Sequence, residues 1–197
     1  MTRDPMEYGW WLASRASGLV ALALITLSVG VGLAMAGRAL EKPGLARKLM
    51  ALHEHAALAG LIAIAVHGIT LLGDTWLDPG PVGIAVPFAM HYKPLFTGLG
   101  IVGGYLAAAL GLSFYARRRI GPKLWRKLHR ATILVYVLAV VHTLGAGTDA
   151  LEPWLRAAMA VTGAPILYLL VVRMLPAPKA QRRRSRRTGT SAVPGAS

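Results

Sequence analysis

The chain has 197 residues, of which 55% are hydrophobic, and its formal net charge is +14. Charged residues are nearly absent from stretches of about 20 residues, the length that an α-helix needs to cross about 30 Å of hydrocarbon. The sequence contains no cysteine, which excludes disulfides, thiolate-bound zinc, iron–sulfur clusters and c-type haem attachment. The composition therefore predicts an integral membrane protein in which any metal is held by His, carboxylate or Met.

Five apolar runs predict an all-α integral membrane bundle of five transmembrane helices. The runs cover residues 12–37, 52–72, 95–116, 128–146 and 154–175. The first run is too long for the apolar part of a signal peptide, so we expect it to be a retained helix. Residues 1–175 should form one transmembrane domain, and residues 176–197 should form a disordered basic tail because they are rich in Pro, Ser, Gly and Arg.

The distribution of charge predicts how the bundle is oriented. The segments that follow the first, third and fifth runs, counted together with Arg130 and Arg173 at the adjoining run ends, hold 18 of the 22 Lys and Arg residues, and six of the eight acidic residues lie on the opposite side. By the positive-inside rule, the N-terminus lies outside and the C-terminus in the cytoplasm, which suits a multi-pass protein of a cell inner membrane. The basic tail is expected to contact anionic lipid of the bilayer or to be solvated, and we expect no nucleic-acid partner.

Four of the six histidines lie at matched depths in two apolar runs. His53 and His67 are in the second run, and His129 and His142 are in the fourth, which crosses the membrane in the same direction. We therefore expect an inner pair, His53 and His129, near the cytoplasmic edge, and an outer pair, His67 and His142, toward the opposite face.

The spacing within each run tests this arrangement. His53 and His67 are 14 residues apart, which gives a rise of about 21 Å and an angular difference of about 40°, so the two rings share a face. His129 and His142 are 13 residues apart, and an ideal helix would place them about 140° from each other. The fourth run must therefore be tightened locally, or His129 must lie at an irregular helix start.

Paired imidazoles from facing helices are the axial ligands of a low-spin, electron-transferring haem iron. Two such pairs would form a ladder of haems across the bilayer, and a proton relay or interhelical hydrogen bonding are the alternatives. Glycines in the second and third runs would leave room for porphyrins or would mark close helix packing. They are Gly60, Gly68, Gly98, Gly100, Gly103, Gly104 and Gly111.

Cationic side chains near the histidines are candidate partners of haem propionates. Arg126 and Arg130 flank His129, although ordinary loop charge on the cytoplasmic side is the alternative. Arg15 lies inside the outer end of the first run, where an unpaired charge is costly. An outer-haem propionate is one possible partner of Arg15, and Asp149 is the other.

The two remaining histidines have less defined roles. His55 is expected to be an interfacial residue, with a spare ligand or a proton donor as alternatives. His91 lies on the long outer loop beside Tyr92 and Lys93, where it is either solvated or part of an acceptor surface. The sequence His53-Glu54-His55 is not H-E-x-x-H, so a zinc protease is not expected.

The segments LHEHAALAGLIAIAVHG (52–68) and LWRKLHRATILVYVLAVVH (124–142) resemble the ferric reductase-like transmembrane domain family. That family includes NADPH oxidases and bacterial haem membrane subunits such as MsrQ, and the resemblance covers most of the chain up to residue 175. It implies two stacked b-type haems, with His53 and His129 as ligands of the inner iron and His67 and His142 as ligands of the outer iron. The 13-residue spacing is itself a family trait.

The resemblance also implies a function, namely transmembrane electron transfer to an acceptor on the outer face by a ferric reductase-like oxidoreductase component. NADPH oxidases have a fused flavin and nicotinamide module and an additional N-terminal helix, and we find neither a Gly-rich phosphate loop nor that helix here. Electrons are therefore expected from a separate flavoprotein carrying FMN or FAD, from a quinol or from a free reduced flavin. The alternatives are an MsrQ-like, haem-bearing anchor of a partner reductase, and a non-haem transporter or assembly factor that uses His for protons or metal.

Overall fold

The computed structural model describes residues 5–36 and 44–175. Within these ranges the chain is helical and contains no strand. The helices are α1 (Pro5–Ala36), α2 (Leu45–Thr70), α3 (Gly80–Ala85), α4 (Pro94–Ile120), α5 (Pro122–His129), α6 (Thr132–Ala146) and α7 (Pro153–Met174), and a 3₁₀ turn, Leu71–Gly73, follows α2. The predicted disordered tail, 176–197, lies outside the described residues.

Five helical segments are long and apolar enough to cross a membrane. They are Tyr8–Ala36, Leu45–Gly73, Pro94–Ile120, Pro122–Ala146 and Pro153–Met174. The prediction of an all-α bundle with five membrane-spanning helices is thus confirmed, and the chain is a multi-pass membrane protein. The second and third spans extend beyond their apolar runs at the basic side, because Lys and Arg are good helix formers whose charged ends can reach the headgroup layer.

The spans are arranged mainly as two antiparallel hairpins. Helix α1 packs along α2, α4 packs along α6, and α7 lies against α1. Two small clusters of buried side chains join these elements: Val29, Leu33 and Ile166 between α1 and α7, and Ala107, Leu110 and Val135 between α4 and α6. In contrast, the backbones of α2 and α6 do not pack closely against each other within the described part of the chain, so these two helices meet through their side chains.

The fourth span is interrupted between α5 and α6, directly after His129. The N–H of Ala131 donates to the carbonyl of Leu128 (2.9 Å), and the N–H of Leu134 donates to the carbonyl of Ala131 (2.9 Å). Both bonds reach back three residues, as in a 3₁₀ turn, rather than four. Each step of such a turn rotates the chain by about 120° rather than 100°. Three or four tightened steps therefore reduce the offset between His129 and His142 from about 140° to about 60–80°. The structure thus contains the local tightening that the 13-residue spacing requires.

The loop between α2 and α4 contains a short helix that the sequence did not indicate. This helix, α3, has Pro81 in its first turn, where the fixed φ of proline favours helix initiation and its missing N–H costs nothing. The hydroxyl of Tyr105 donates to the carbonyl of Ala85 at the end of α3, which ties the loop to α4.

Most of the glycines expected near a porphyrin are instead packed against apolar side chains. A Cβ at six of them would meet an apolar side chain of another segment: Gly60, Gly68, Gly98, Gly103, Gly104 and Gly111. These six glycines therefore allow close packing of neighbouring segments, which was the alternative to making room for a porphyrin. Gly100 differs, because it lies against the ring of His142.

Candidate functional site: two pairs of histidines

The four intramembrane histidines meet as two ring pairs. The imidazoles of His53 and His129 have centroids 5.9 Å apart and planes inclined by 87°. The imidazoles of His67 and His142 have centroids 6.3 Å apart and planes inclined by 72°. The combinations are those of the predicted inner and outer pairs, and each joins a ring of α2 to a ring of α5 or α6.

Three of these rings are fixed by a hydrogen bond to the main chain of a neighbouring helix. The Nδ1–H groups donate from His53 to the carbonyl of Ser28 (2.8 Å), from His67 to that of Ser14 (2.8 Å) and from His142 to that of Phe96 (2.9 Å). Because a carbonyl oxygen can only accept, each Nδ1 must carry the proton. In the neutral ring, Nε2 then keeps a free lone pair for a metal ion.

Each acceptor carbonyl is followed, four residues later, by a glycine. The carbonyl and glycine combinations are Ser14 with Gly18, Ser28 with Gly32 and Phe96 with Gly100. In an α-helix the carbonyl of residue i points toward the N–H of residue i+4, so a side chain at i+4 would crowd any second donor to that carbonyl. We call the carbonyl and the glycine four residues after it a carbonyl notch.

The imidazoles fill these notches closely. A Cβ at Gly18 would lie 3.0 Å from Nδ1 of His67, and a Cβ at Gly32 would lie 3.2 Å from Cε1 of His53. A Cβ at Gly100 would lie 2.7 Å from Cε1 of His142. Each glycine therefore makes room for the ring that is bound by the carbonyl four residues before it.

The separation of the paired rings fits a shared metal ion. Two imidazoles on opposite sides of one metal, each bonded at about 2 Å with the nitrogen about 1.2 Å from its ring centre, place their centroids about 6–6.5 Å apart. The observed separations are 5.9 and 6.3 Å. Among the described residues, no three or more His, Cys, Asp or Glu side chains converge as they would at a non-haem metal site. Paired neutral imidazoles are the donor set of a six-coordinate haem iron.

Comparison with known protein families agrees with this geometry. The family described as "Ferric reductase like transmembrane component" matches residues 17–140. The chain belongs to this family. The matched segment contains His53, His67 and His129, and His142 follows two residues after its end. The predicted resemblance to ferric reductase-like transmembrane domains is thus confirmed.

A curated relative supports the same assignment. Over 120 residues the chain is 34% identical to the protein-methionine-sulfoxide reductase heme-binding subunit MsrQ of Azospira oryzae. The match covers 60% of this chain and 47% of the relative, so the chain spans about half the length of that protein. No solved structure matches the chain.

The position of its charge made Arg15 a candidate partner of a haem propionate, but the structure gives this residue its alternative partner. Nε of Arg15 donates to Oδ2 of Asp149 (2.7 Å), and its terminal nitrogen pairs with the other carboxylate oxygen. Asp149 is only 6% exposed, so its charge requires a cation nearby. The guanidinium also lies over the ring of Trp11, 5.0 Å from the centroid.

The other candidate residues lie apart from the ring pairs or at their edge. Arg126, on α5, and Arg130, in the break before α6, are exposed on the side of the inner pair. His55 is exposed, and its Nδ1 donates to the carbonyl of Ala51 in its own helix (2.6 Å). His91 is exposed on the loop between α3 and α4. The structure therefore brings neither His55 nor His91 into a pair.

Sequence reasoning missed the contribution of α1, because the groups that hold His53 and His67 are main-chain carbonyls. A signal is nevertheless present in the sequence. The motifs Ser14-x-x-x-Gly18 and Ser28-x-x-x-Gly32 are 14 residues apart, the same spacing as His53 and His67. In an antiparallel hairpin, equal spacing places both motifs opposite both histidines.

Proposed function

We propose that this protein carries electrons across the membrane through two b-type haems, each held by one imidazole of α2 and one of α5 or α6. The observation that carries the proposal is the pairing of four rings at two depths, with separations of 5.9 and 6.3 Å that suit one iron per pair. In this proposal His53 and His129 would hold the inner haem iron, and His67 and His142 would hold the outer one.

The residues supply position and ligation. Haem, when bound, supplies one-electron redox chemistry. The carbonyl notches of α1 and α4 keep Nδ1 protonated in His53, His67 and His142, which leaves Nε2 as the ligand atom and raises its basicity. Because two protein imidazoles would hold each iron, neither haem would offer an open position to a substrate. Two levels separated by a rise of about 21 Å span most of a bilayer core of about 30 Å.

The charge distribution gives the bundle an orientation, and in this proposal electrons run from its basic side to its acidic side. By the positive-inside rule the basic side is cytoplasmic, in a cell inner membrane. A separate flavoprotein carrying FMN or FAD, or a quinol, would deliver electrons there, and an acceptor on the outer face would take them. Arg126 and Arg130 are exposed beside the inner pair, where they would meet the propionates of the inner haem.

A visible spectrum and a haem count of the purified protein test the proposal. A Soret band that sharpens and shifts on reduction, together with two haems per chain in a pyridine haemochrome assay, is the expected result. His67→Ala and His142→Ala should each remove one haem and leave the inner one, whereas His55→Ala and His91→Ala should keep both. A colourless preparation, or loss of both haems or neither haem in His67→Ala, contradicts the proposal.

A second candidate is a haem-bearing subunit of a partner reductase. It is favoured by the 34% identity to the relative named as the heme-binding subunit MsrQ of a methionine-sulfoxide reductase. In that case the acceptor on the outer face is a soluble redox protein. Stoichiometric co-purification with such a protein, and oxidation of the reduced haems by it, separates this candidate from reduction of a small acceptor such as a ferric chelate.

A further inference from the structure

His129 is held differently from the other three paired histidines. Its Nδ1 is buried and has no hydrogen-bond partner. The corresponding position of α4 has no carbonyl notch, because 13 residues beyond Phe96 is Ala109, and the residue four positions later is Ser113 rather than glycine. The hydroxyl of Ser113 donates to the carbonyl of Leu110 (2.6 Å), so the space that glycine leaves open elsewhere is occupied here.

An aromatic ring takes the place of the notch. Trp125 lies four residues before His129 on α5, where side chains at this spacing are neighbours. The two rings are stacked, with centroids 4.9 Å apart and planes inclined by 22°. The stack covers one face of the imidazole and restricts its rotation about the Cβ–Cγ bond.

Trp125 is itself anchored to α4. Its Nε1–H donates to the hydroxyl of Ser113 (3.2 Å), and its ring meets that of Phe114 edge to face, 6.1 Å between centroids. The chain from α4 to the imidazole therefore runs through Ser113 and Trp125 rather than through a main-chain carbonyl.

We propose that Trp125 is the positioning residue of the inner ligand His129. It fixes the orientation of this imidazole, as the carbonyl notches fix the orientation of the other three. The inference rests on the proposed function, because it concerns the ligation of the inner haem. Loss of a group that orients a metal-ligating histidine typically lowers metal affinity by about 10–100-fold. Removal of the Trp125 ring should therefore weaken the inner haem by at least about tenfold and leave the outer haem unaffected.

The experiment uses two parent variants that separate the haems. His142→Ala should keep only the inner haem, and His53→Ala should keep only the outer one. In the His142→Ala parent, Trp125→Leu should bind haem at least about tenfold more weakly with an altered EPR signal, whereas Trp125→Phe, which keeps a ring to stack, should retain the affinity and the low-spin EPR signal of the parent. In the His53→Ala parent, Trp125→Leu should leave haem content and EPR signal unchanged.

The matched control replaces a tryptophan that lies far from His129 in the sequence. Trp154→Leu, at an exposed position (51%) at the start of α7, should retain haem in both parents. The inference is overturned if Trp125→Leu keeps the inner haem with an unchanged EPR signal, if it removes haem from both parents alike, or if Trp125→Phe fails as Trp125→Leu does. A parent protein without any Soret band instead overturns the proposed function, and the inference with it.

Discussion

The imidazole of His142 fills the space that a side chain at Gly100 would occupy. A Cβ at position 100 would lie 2.7 Å from Cε1 of His142 and closer still to Nδ1. The same ring donates from Nδ1 to the carbonyl of Phe96 at 2.9 Å. The hydrogen bond that sets the tautomer and the glycine that admits the ring are thus parts of one feature of α4.

Gly100→Ala is expected to remove the outer haem. The added methyl group cannot coexist with the ring in its present position, so His142 must leave both the carbonyl of Phe96 and the site where it faces His67. Haem content should fall from two per chain to one, and the remaining haem should be the inner one. Gly104→Ala is the matched control, because a Cβ there would make an ordinary contact of 3.5 Å with Ile64. A Gly100→Ala protein that keeps both haems would contradict the conclusion that Gly100 makes room for the ring of His142.

Gly32→Ala should have a milder effect on the inner haem. A Cβ at Gly32 would lie 3.2 Å from Cε1 of His53, so the ring has to shift by a few tenths of an ångström rather than leave. We expect the inner haem to bind about tenfold more weakly and its EPR signal to move. Gly30→Ala, on the same helix with its nearest contact 3.7 Å away at Ile166, should behave as the parent protein. If Gly32→Ala and Gly30→Ala show the same inner-haem affinity and EPR signal, Gly32 does not make room for the ring of His53.

Ser28→Ala should affect the inner haem less than Gly32→Ala, although Ser28 has the polar side chain. Its hydroxyl lies 3.0 Å from Nδ1 of His53 and donates to the carbonyl of His53 at 3.2 Å. The main-chain carbonyl that accepts the Nδ1 proton remains in Ser28→Ala, so only about 1 kcal/mol of hydrogen-bond stabilisation is lost. Both haems should be retained, with a slightly lower unfolding midpoint in detergent. Loss of the inner haem in Ser28→Ala would show that the hydroxyl, not the carbonyl, holds the ring.

The inclination of the paired rings predicts the EPR spectrum of the oxidised protein. Near-perpendicular axial imidazoles, here 87° for the inner pair and 72° for the outer pair, leave two iron d orbitals almost equal in energy. Both haems should therefore give strongly anisotropic low-spin signals, and the inner haem should give the more anisotropic one. His67→Ala should retain the more anisotropic signal. A rhombic spectrum typical of parallel imidazoles would contradict the described ring orientations.

Much of the fold follows from the sequence, because a bilayer tolerates few structures. The five apolar runs predicted five spans, and the depths of His53, His67, His129 and His142 predicted which rings would meet. The 13-residue spacing also required a tightened turn, which the structure has after His129. These inferences need only helical periodicity and the thickness of a membrane.

The features that escaped prediction depend on contacts between helices. The acceptors for His53 and His67 are backbone carbonyls of α1, which no search for polar side chains can find. The partner of Arg15 could not be chosen between Asp149 and a propionate, since the choice depends on how the loop before α7 folds back over α1. The stacking of Trp125 on His129 could have been predicted only if the end of α5 had been known. The role of the four histidines as iron ligands stays a prediction.

The ion pair between Arg15 and Asp149 should stabilise the fold rather than bind haem. It joins α1, directly after the Ser14 carbonyl that holds His67, to the loop between α6 and α7. Arg15→Gln and Asp149→Asn should each lower stability by about 1–3 kcal/mol, because each leaves a charge in a poorly solvated place without its partner. The Arg15 side chain is 35% exposed and that of Asp149 is 8% exposed, so the loss of Arg15, which strands the more buried charge, should cost more.

A double-mutant cycle distinguishes this role from binding of a propionate. If the pair acts as a unit, the variant with both substitutions should be less destabilised than the sum of the single variants, and all three should purify with two haems per chain. Thermal unfolding in detergent and a haemochrome assay on the same samples give both quantities. If Arg15→Gln loses the outer haem while Asp149→Asn keeps it, the guanidinium serves the haem directly, and the ion pair is then a secondary contact of a propionate-binding arginine.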